Sequence, residues 1–85
     1  MENFKFMGID NEPYKSNGSY NKEESLLLIT FDSVHFTRRF TDFKEENKII
    51  EQISFFGDER SSSYYGPYKV SKIKDNEVTL KIISN

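Results

Sequence analysis

There is no alanine anywhere in this 85-residue chain, and leucine appears only four times. Those two residues lead the helix-propensity scale, so a chain nearly without them has little from which to build long helices. Phe, Tyr, Ile, Val and Thr instead supply 28 residues, about a third of the sequence. Such side chains suit a pleated, half-buried surface. The composition predicts a mainly β protein.

Phe, Ile, Leu and Val together make 23 residues, roughly 27% of the chain and above the roughly 20% level below which chains tend to stay disordered. A folded single domain over residues 1–85 is expected, with the thin stability margin of its size. There is no cysteine, which removes disulfide frameworks and thiolate metal sites. The start, Met1-Glu2-Asn3-Phe4-Lys5-Phe6, lacks the basic and apolar regions of a signal peptide. The longest apolar run, Leu26–Ile29, is far short of the roughly 20 residues that span a bilayer. A cytoplasmic protein without a membrane partner is the expectation.

Asn3–Ile9 alternates, with Phe4 and Phe6 on one parity, and reads as a strand. Residues 10–25 are rich in Asn, Ser, Gly, Pro and Glu and read as a long polar loop, with Tyr14 and Tyr20 as its only anchors to a core. Ser25–Phe31 is apolar on both parities, as a central strand would be. Val34–Phe40 reads as a strand, with Val34, Phe36 and Phe40 on its buried face. Thr41–Phe56 fits two patterns. A turn at Glu45-Glu46-Asn47 followed by a strand over Lys48–Phe56 is favoured by composition. A helix over about 42–56, capped by Thr41 and closed by Gly57, is the alternative.

The final stretch is a hairpin. Tyr64–Lys74 and Glu77–Ser84 flank Asp75-Asn76, a pair that tolerates positive φ. A three-residue loop centred on Asn76 sets Tyr68 and Val70 opposite Ile82 and Leu80 and keeps the apolar faces together, whereas a strict two-residue loop sets Val70 opposite Lys81. Gly66-Pro67 argues for a bulge or a sheet edge, because proline donates nothing to a ladder. The predicted architecture is a small antiparallel meander sheet or half-open barrel of five or six strands, with an α+β version as the alternative. The tail from Tyr65-Gly66-Pro67-Tyr68 to Leu80-Lys81-Ile82 resembles the closing hairpin of small β-barrels and lipocalin-like meanders. That resemblance is hairpin chemistry and implies no ligand site.

Catalytic chemistry finds no purchase in the residues. His35 is the single imidazole, and Ser33 beside it has neither a glycine elbow nor an oxyanion donor around it. No calcium loop, phosphate-cradling glycine motif or metal-ligand spacing occurs. The expectation is a non-enzymatic protein with no cofactor, no metal and no catalytic residues.

Binding is the remaining class. Interfaces favour tyrosine, phenylalanine and arginine, and the chain offers Tyr64, Tyr65, Tyr68 and Arg39 as contacts. Glu45, Glu46, Asp58 and Glu59 add negative charge in a chain of net charge −2. Together they read as a small acidic inhibitor that blocks a surface of a larger basic, nucleic-acid-handling protein. The Lys, Asn, Ile and Ser bias without alanine fits an AT-rich source of the phage or mobile-element type. The alternative is a small β-barrel that binds single-stranded nucleic acid. Its bases would stack on Tyr64 and Tyr68, with Lys69, Lys72 and Lys74 on the phosphates.

Overall fold

The computed structural model describes residues 1–83. Eight strands are joined antiparallel in one sheet: β1 (Glu2–Phe4), β2 (Phe6–Ile9), β3 (Glu12–Tyr14), β4 (Gly18–Glu23), β5 (Leu26–Phe31), β6 (Ile50–Phe56), β7 (Ser61–Lys74) and β8 (Glu77–Ile82). A 3₁₀ turn at Val34–Thr37 leads into one helix, α1 (Arg38–Glu45). The order across the sheet is β1-β4-β5-β8-β7-β6-β2-β3. This is the mainly β antiparallel fold that the composition predicts, with a short helix added.

The N-terminal segment decides the shape. Glu2–Phe4 pair with β4 and Phe6–Ile9 pair with β6, which flank the rest of the sheet on opposite sides. Between them the Lys5 N–H donates to the Phe56 carbonyl at 2.8 Å. One bent strand therefore spans the seam of a curled sheet. The bend also turns the chain over: Phe4 is buried and Phe6 is exposed, whereas plain alternation places them on one side.

Inside lies an aromatic core. Phe4 touches Tyr20, Phe31 and Phe55, and the Tyr20 and Phe55 rings stack at 4.0 Å. Phe31 continues the contact to Phe40, which meets Tyr14 and Phe43. Leu27, Ile29, Ile50, Ile53, Tyr68, Val78 and Leu80 fill the space between the rings.

Three expectations need correction. The predicted loop at 10–25 contains β3 and β4. Asp10 and Asn11, both at positive φ, form the two-residue turn between Ile9 and Glu12, and Glu24-Ser25 form the turn from β4 to β5. Tyr14 and Tyr20 do anchor this region to the core, as expected. The predicted strand at 34–40 is instead the 3₁₀ turn and the start of α1. Ser33 opens it by accepting the His35 N–H at 3.2 Å, and Phe36, Phe40 and Phe43 pack inward at helical spacing. The helix at 42–56 is absent beyond Glu45. Asn47, at φ 54°, ends α1, with Asn47 N–H to Lys44 O and Lys48 N–H to Phe43 O. The turn at 45–47 and the strand after it follow the favoured reading, but that strand pairs with β2 and β7 and not, as expected, back against residues 34–43.

The third correction concerns the strands themselves: there are eight rather than five or six, and their order is not a simple meander. Tyr64 and Tyr65 do stand at a local edge, because among the described residues β7 pairs with β6 only up to Tyr68 and with β8 only from Tyr68 onward. The bulge is present: Gly66 and Pro67 stand between Tyr65, opposite Gln52, and Tyr68, opposite Ile50. Asp10 closes it from the other side, its carboxylate accepting the N–H groups of both Glu51 and Gln52. The hairpin register matches expectation, with Tyr68 opposite Ile82 and Val70 opposite Leu80. It arises not from the expected three-residue loop but from a two-residue Asp75-Asn76 turn plus a bulge at Ser71, since Lys72 faces Thr79. Ser84, placed at the end of that predicted strand, lies outside the described residues.

The seam yields a prediction. Phe4→Ala removes the ring that joins the two flanks and is expected to cost about 3–5 kcal/mol. Phe6→Ala, two residues away, is expected to cost less than about 1 kcal/mol. Urea denaturation of both variants checks this, and equal costs would contradict the inward–outward switch at Lys5.

Candidate functional site

The core claims two of the tyrosines nominated as contacts. Tyr68 is 1% exposed, and Tyr64 is half-buried against Tyr20 and Phe55. Tyr65 alone of the three faces outward, 68% exposed. Arg39 is half-buried on α1, with its guanidinium 4.7 Å from the Tyr14 ring. The Tyr14 hydroxyl donates to the Phe36 carbonyl, which ties β3 to the turn before the helix. Arg39 is thus occupied in holding β3 and α1 together.

The four nominated carboxylates occupy two places. Glu45 and Glu46 are exposed at the end of α1, before β6 begins, whereas Asp58 and Glu59 are exposed just after it ends. The intervening strand separates the pairs by roughly 20 Å. Asp58 also forms an ion pair with Lys5 at 2.8 Å. The lysines of the nucleic-acid reading fare better. Lys69, Lys72 and Lys74 are exposed on β7, but Lys69 lines one groove and the other two line another. Without an exposed Tyr68 they lack half of the proposed stacking platform.

What alternation did not reveal is an outward face on β2, β6 and the first part of β7. Pairing sets Phe6, Phe56 and Ser61 in one row and Gly8, Ser54 and Ser63 in the next. Gln52 and Tyr65 follow in a third. The Phe6 and Phe56 rings are 5.9 Å apart and 37% and 41% exposed. Ser54 and Ser63 share a hydrogen bond of 2.8 Å that closes the floor between the aromatics. With Pro13 and Glu12 from β3, the phenylalanines bound a depression of about 230 Å³ over Gly8 and Ser54. A flat small-residue floor with aromatic walls is a shape that accepts an inserted side chain. The signal in the sequence was Phe55-Phe56: adjacent strand residues point to opposite faces, so one of the two must be outside.

Among the described residues, no group of three or more His, Asp or Glu side chains is placed to hold a metal ion, and no helix is long and apolar enough to cross a membrane. Ser33 and His35 meet through the His35 backbone N–H, which gives the serine a capping role.

Burial raises the pKa of Tyr14, Tyr64 and Tyr68 above the ordinary tyrosine value; Arg39 opposes the shift at Tyr14, and Tyr20 reinforces it at Tyr64. The folded chain therefore keeps protons that the unfolded chain loses above about pH 10. Stability from these groups is expected to be intact below about pH 10 and to fall as pH rises through their elevated values. Tyrosinate absorbance for the three should appear together with loss of the circular-dichroism signal. Full tyrosine ionisation near pH 10 with the fold intact would contradict it. Compared with protein families, curated proteins and solved structures, the chain matches none.

Proposed function

We propose that the protein is a non-enzymatic binding module that occupies a surface of a larger protein partner. The observation that carries this reading is the outward aromatic face of Phe6, Phe56 and Tyr65 over the Gly8-Ser54-Ser63 floor. Large aromatics left exposed on rigid strands are the residues that anchor protein interfaces. Glu12 lines the depression and Glu59 follows Phe56 in the next turn, where Asp58 is paired with Lys5. A partner with basic residues around an apolar protrusion complements that arrangement, and its encounter is sped by the opposite charges. Tyr65, Asp58 and Glu59 thus remain contacts, Phe6 and Phe56 join them, and Tyr64, Tyr68, Arg39, Glu45 and Glu46 fall outside the face. Blocking a basic partner in this way is the action of an inhibitor.

The experiment is quantitative capture from a host lysate with matched variants of the full chain. Phe56→Ser with Tyr65→Ala is expected to keep the fold and weaken capture of a specific protein by about 30-fold, as losing two anchor side chains does. Association should also slow as salt rises. Capture unaffected by the double variant would overturn this reading. So would retention of a single-stranded oligonucleotide with a log–log salt slope of magnitude about 2–4, which belongs to the nucleic-acid alternative.

A further inference from the structure

The β7–β8 hairpin carries on its outer side a chemistry that aromatic docking leaves unused. Lys69 and Lys81 are direct cross-strand partners and both are exposed. Like charges placed directly opposite destabilise a strand pair. Lysines on strands commonly guard free sheet edges, and Lys69 stands on the half of β7 that β6 does not reach; Lys81, flanked by Leu26 of β5 and Lys69 of β7, has no edge to guard. At Lys81 the cost therefore has no structural return in the protein alone.

A third cation joins the pair from another element. Lys44, in the last turn of α1, lines with Lys69 and Lys81 a groove of about 550 Å³, whose apolar wall is Ile82 and Ile83. The C-terminal end of a helix favours a cation, which accounts for Lys44 but not for the opposed pair. Among the described residues, no carboxylate lines the groove. Among the described residues, the ion pairs are Lys5–Asp58, Lys48–Asp10 and Arg60–Glu2, and none involves these three lysines. Helix and hairpin thus bring three lysines, without an ion-pair partner among the described residues, to one concavity of a size common for small-molecule sites.

We infer that this groove binds a compact polyphosphate group, meaning two or more linked phosphates on one ligand. A multiply charged anion neutralises the opposed lysines together, and ammonium groups are suited to phosphate as point charges. A single phosphate engages fewer of the three. An extended nucleic-acid strand fits the arrangement less well, because Lys72 and Lys74 open onto a separate depression beside Leu28 and Thr30. The inorganic chain and a nucleoside triphosphate share the recognised chemistry, and the apolar wall is the part that distinguishes them.

Thermal melts of the full chain at low salt test this, with orthophosphate, pyrophosphate, tripolyphosphate and ATP each at about 1 mM. The Tm is expected to rise in the order orthophosphate, pyrophosphate, tripolyphosphate. ATP above tripolyphosphate assigns the site to nucleotides, and ATP at or below it assigns the site to the polyphosphate chain itself. Lys81→Gln should act in two directions. It should raise the ligand-free Tm by about 1–4 °C by relieving the like-charge contact, and weaken tripolyphosphate binding by about tenfold. Lys72→Gln with Lys74→Gln should change neither, and the Phe56→Ser, Tyr65→Ala variant should keep the phosphate response, which separates this site from the protein-docking face. Absence of any phosphate-dependent shift would overturn the inference. So would tighter binding of oligothymidylate than of tripolyphosphate, abolished by the Lys72 and Lys74 changes.

Discussion

The ring of Phe4 is the contact on which the shape of this molecule rests. It sits on a three-residue strand and touches Tyr20 and Phe31 on one flank of the sheet and Phe55 on the other. A twisted sheet curls, but curling alone leaves two unpaired flanks. Here the N-terminal strand pairs with β4 before Lys5 and with β6 after it, so both flanks are hydrogen-bonded to one bent segment. The hydrogen bonds set the geometry, and the buried ring supplies the apolar free energy that holds it. Where the seam widens past Ile9, β3 and α1 fill it, joined through Tyr14 and Phe40. A core with no alanine or cysteine is filled by rings meeting at tilted and edge-on angles, which adds to the plain burial of area.

The parts of this fold that were legible in the sequence are those where pattern and pairing agree. The β7–β8 register follows from one requirement, that Tyr68 and Val70 face the same interior as Ile82 and Leu80. The bulge at Ser71 is how the backbone meets it with a two-residue turn. The helix was less legible because Phe36 and Phe40 are four apart, a spacing on one face of a helix and of a strand alike. Phe43 breaks the tie, since an offset of seven stays on a helix face and leaves a strand face. The missing alanine pointed the other way, and at a helix of eight residues the burial of Phe40 outweighs propensity. Strands β3 and β4 were hidden for a different reason. Each gives the interior little beyond one tyrosine, so their pairing comes from neighbours and from turns at Asp10-Asn11 and Glu24-Ser25 rather than from hydrophobic alternation.

The candidate surfaces depend on which way each side chain faces, and a single residue of bend or bulge reverses that. Composition pointed to tyrosines, phenylalanines and lysines as candidate contacts, but it could not sort which of them face outward. The bend at Lys5 puts Phe6 outside, Phe55 and Phe56 take opposite faces, and the bulge at Gly66-Pro67 leaves Tyr65 out while Tyr68 goes in. Charge shows the same limit. The chain is acidic overall, at net −2, yet the outer side of the terminal hairpin gathers Lys69, Lys72, Lys74 and Lys81 against Glu77 and Asp75. Net charge averages over a surface that the fold divides.

Strand β7 links the two divided surfaces. Its first part pairs with β6 and carries Tyr65 beside the serine floor; its second part pairs with β8 and carries Lys69 opposite Lys81. Both surfaces therefore stand largely on paired strand backbone rather than on loops. Side chains held there lose less freedom when a ligand arrives, so more of the contact energy appears as affinity. That matters for a chain of this size, whose thin stability margin leaves little to offset the ordering of a mobile loop on binding. Closing the seam with Phe4 keeps the interior apolar and complete, which frees the outward positions to vary in chemistry without cost to the core.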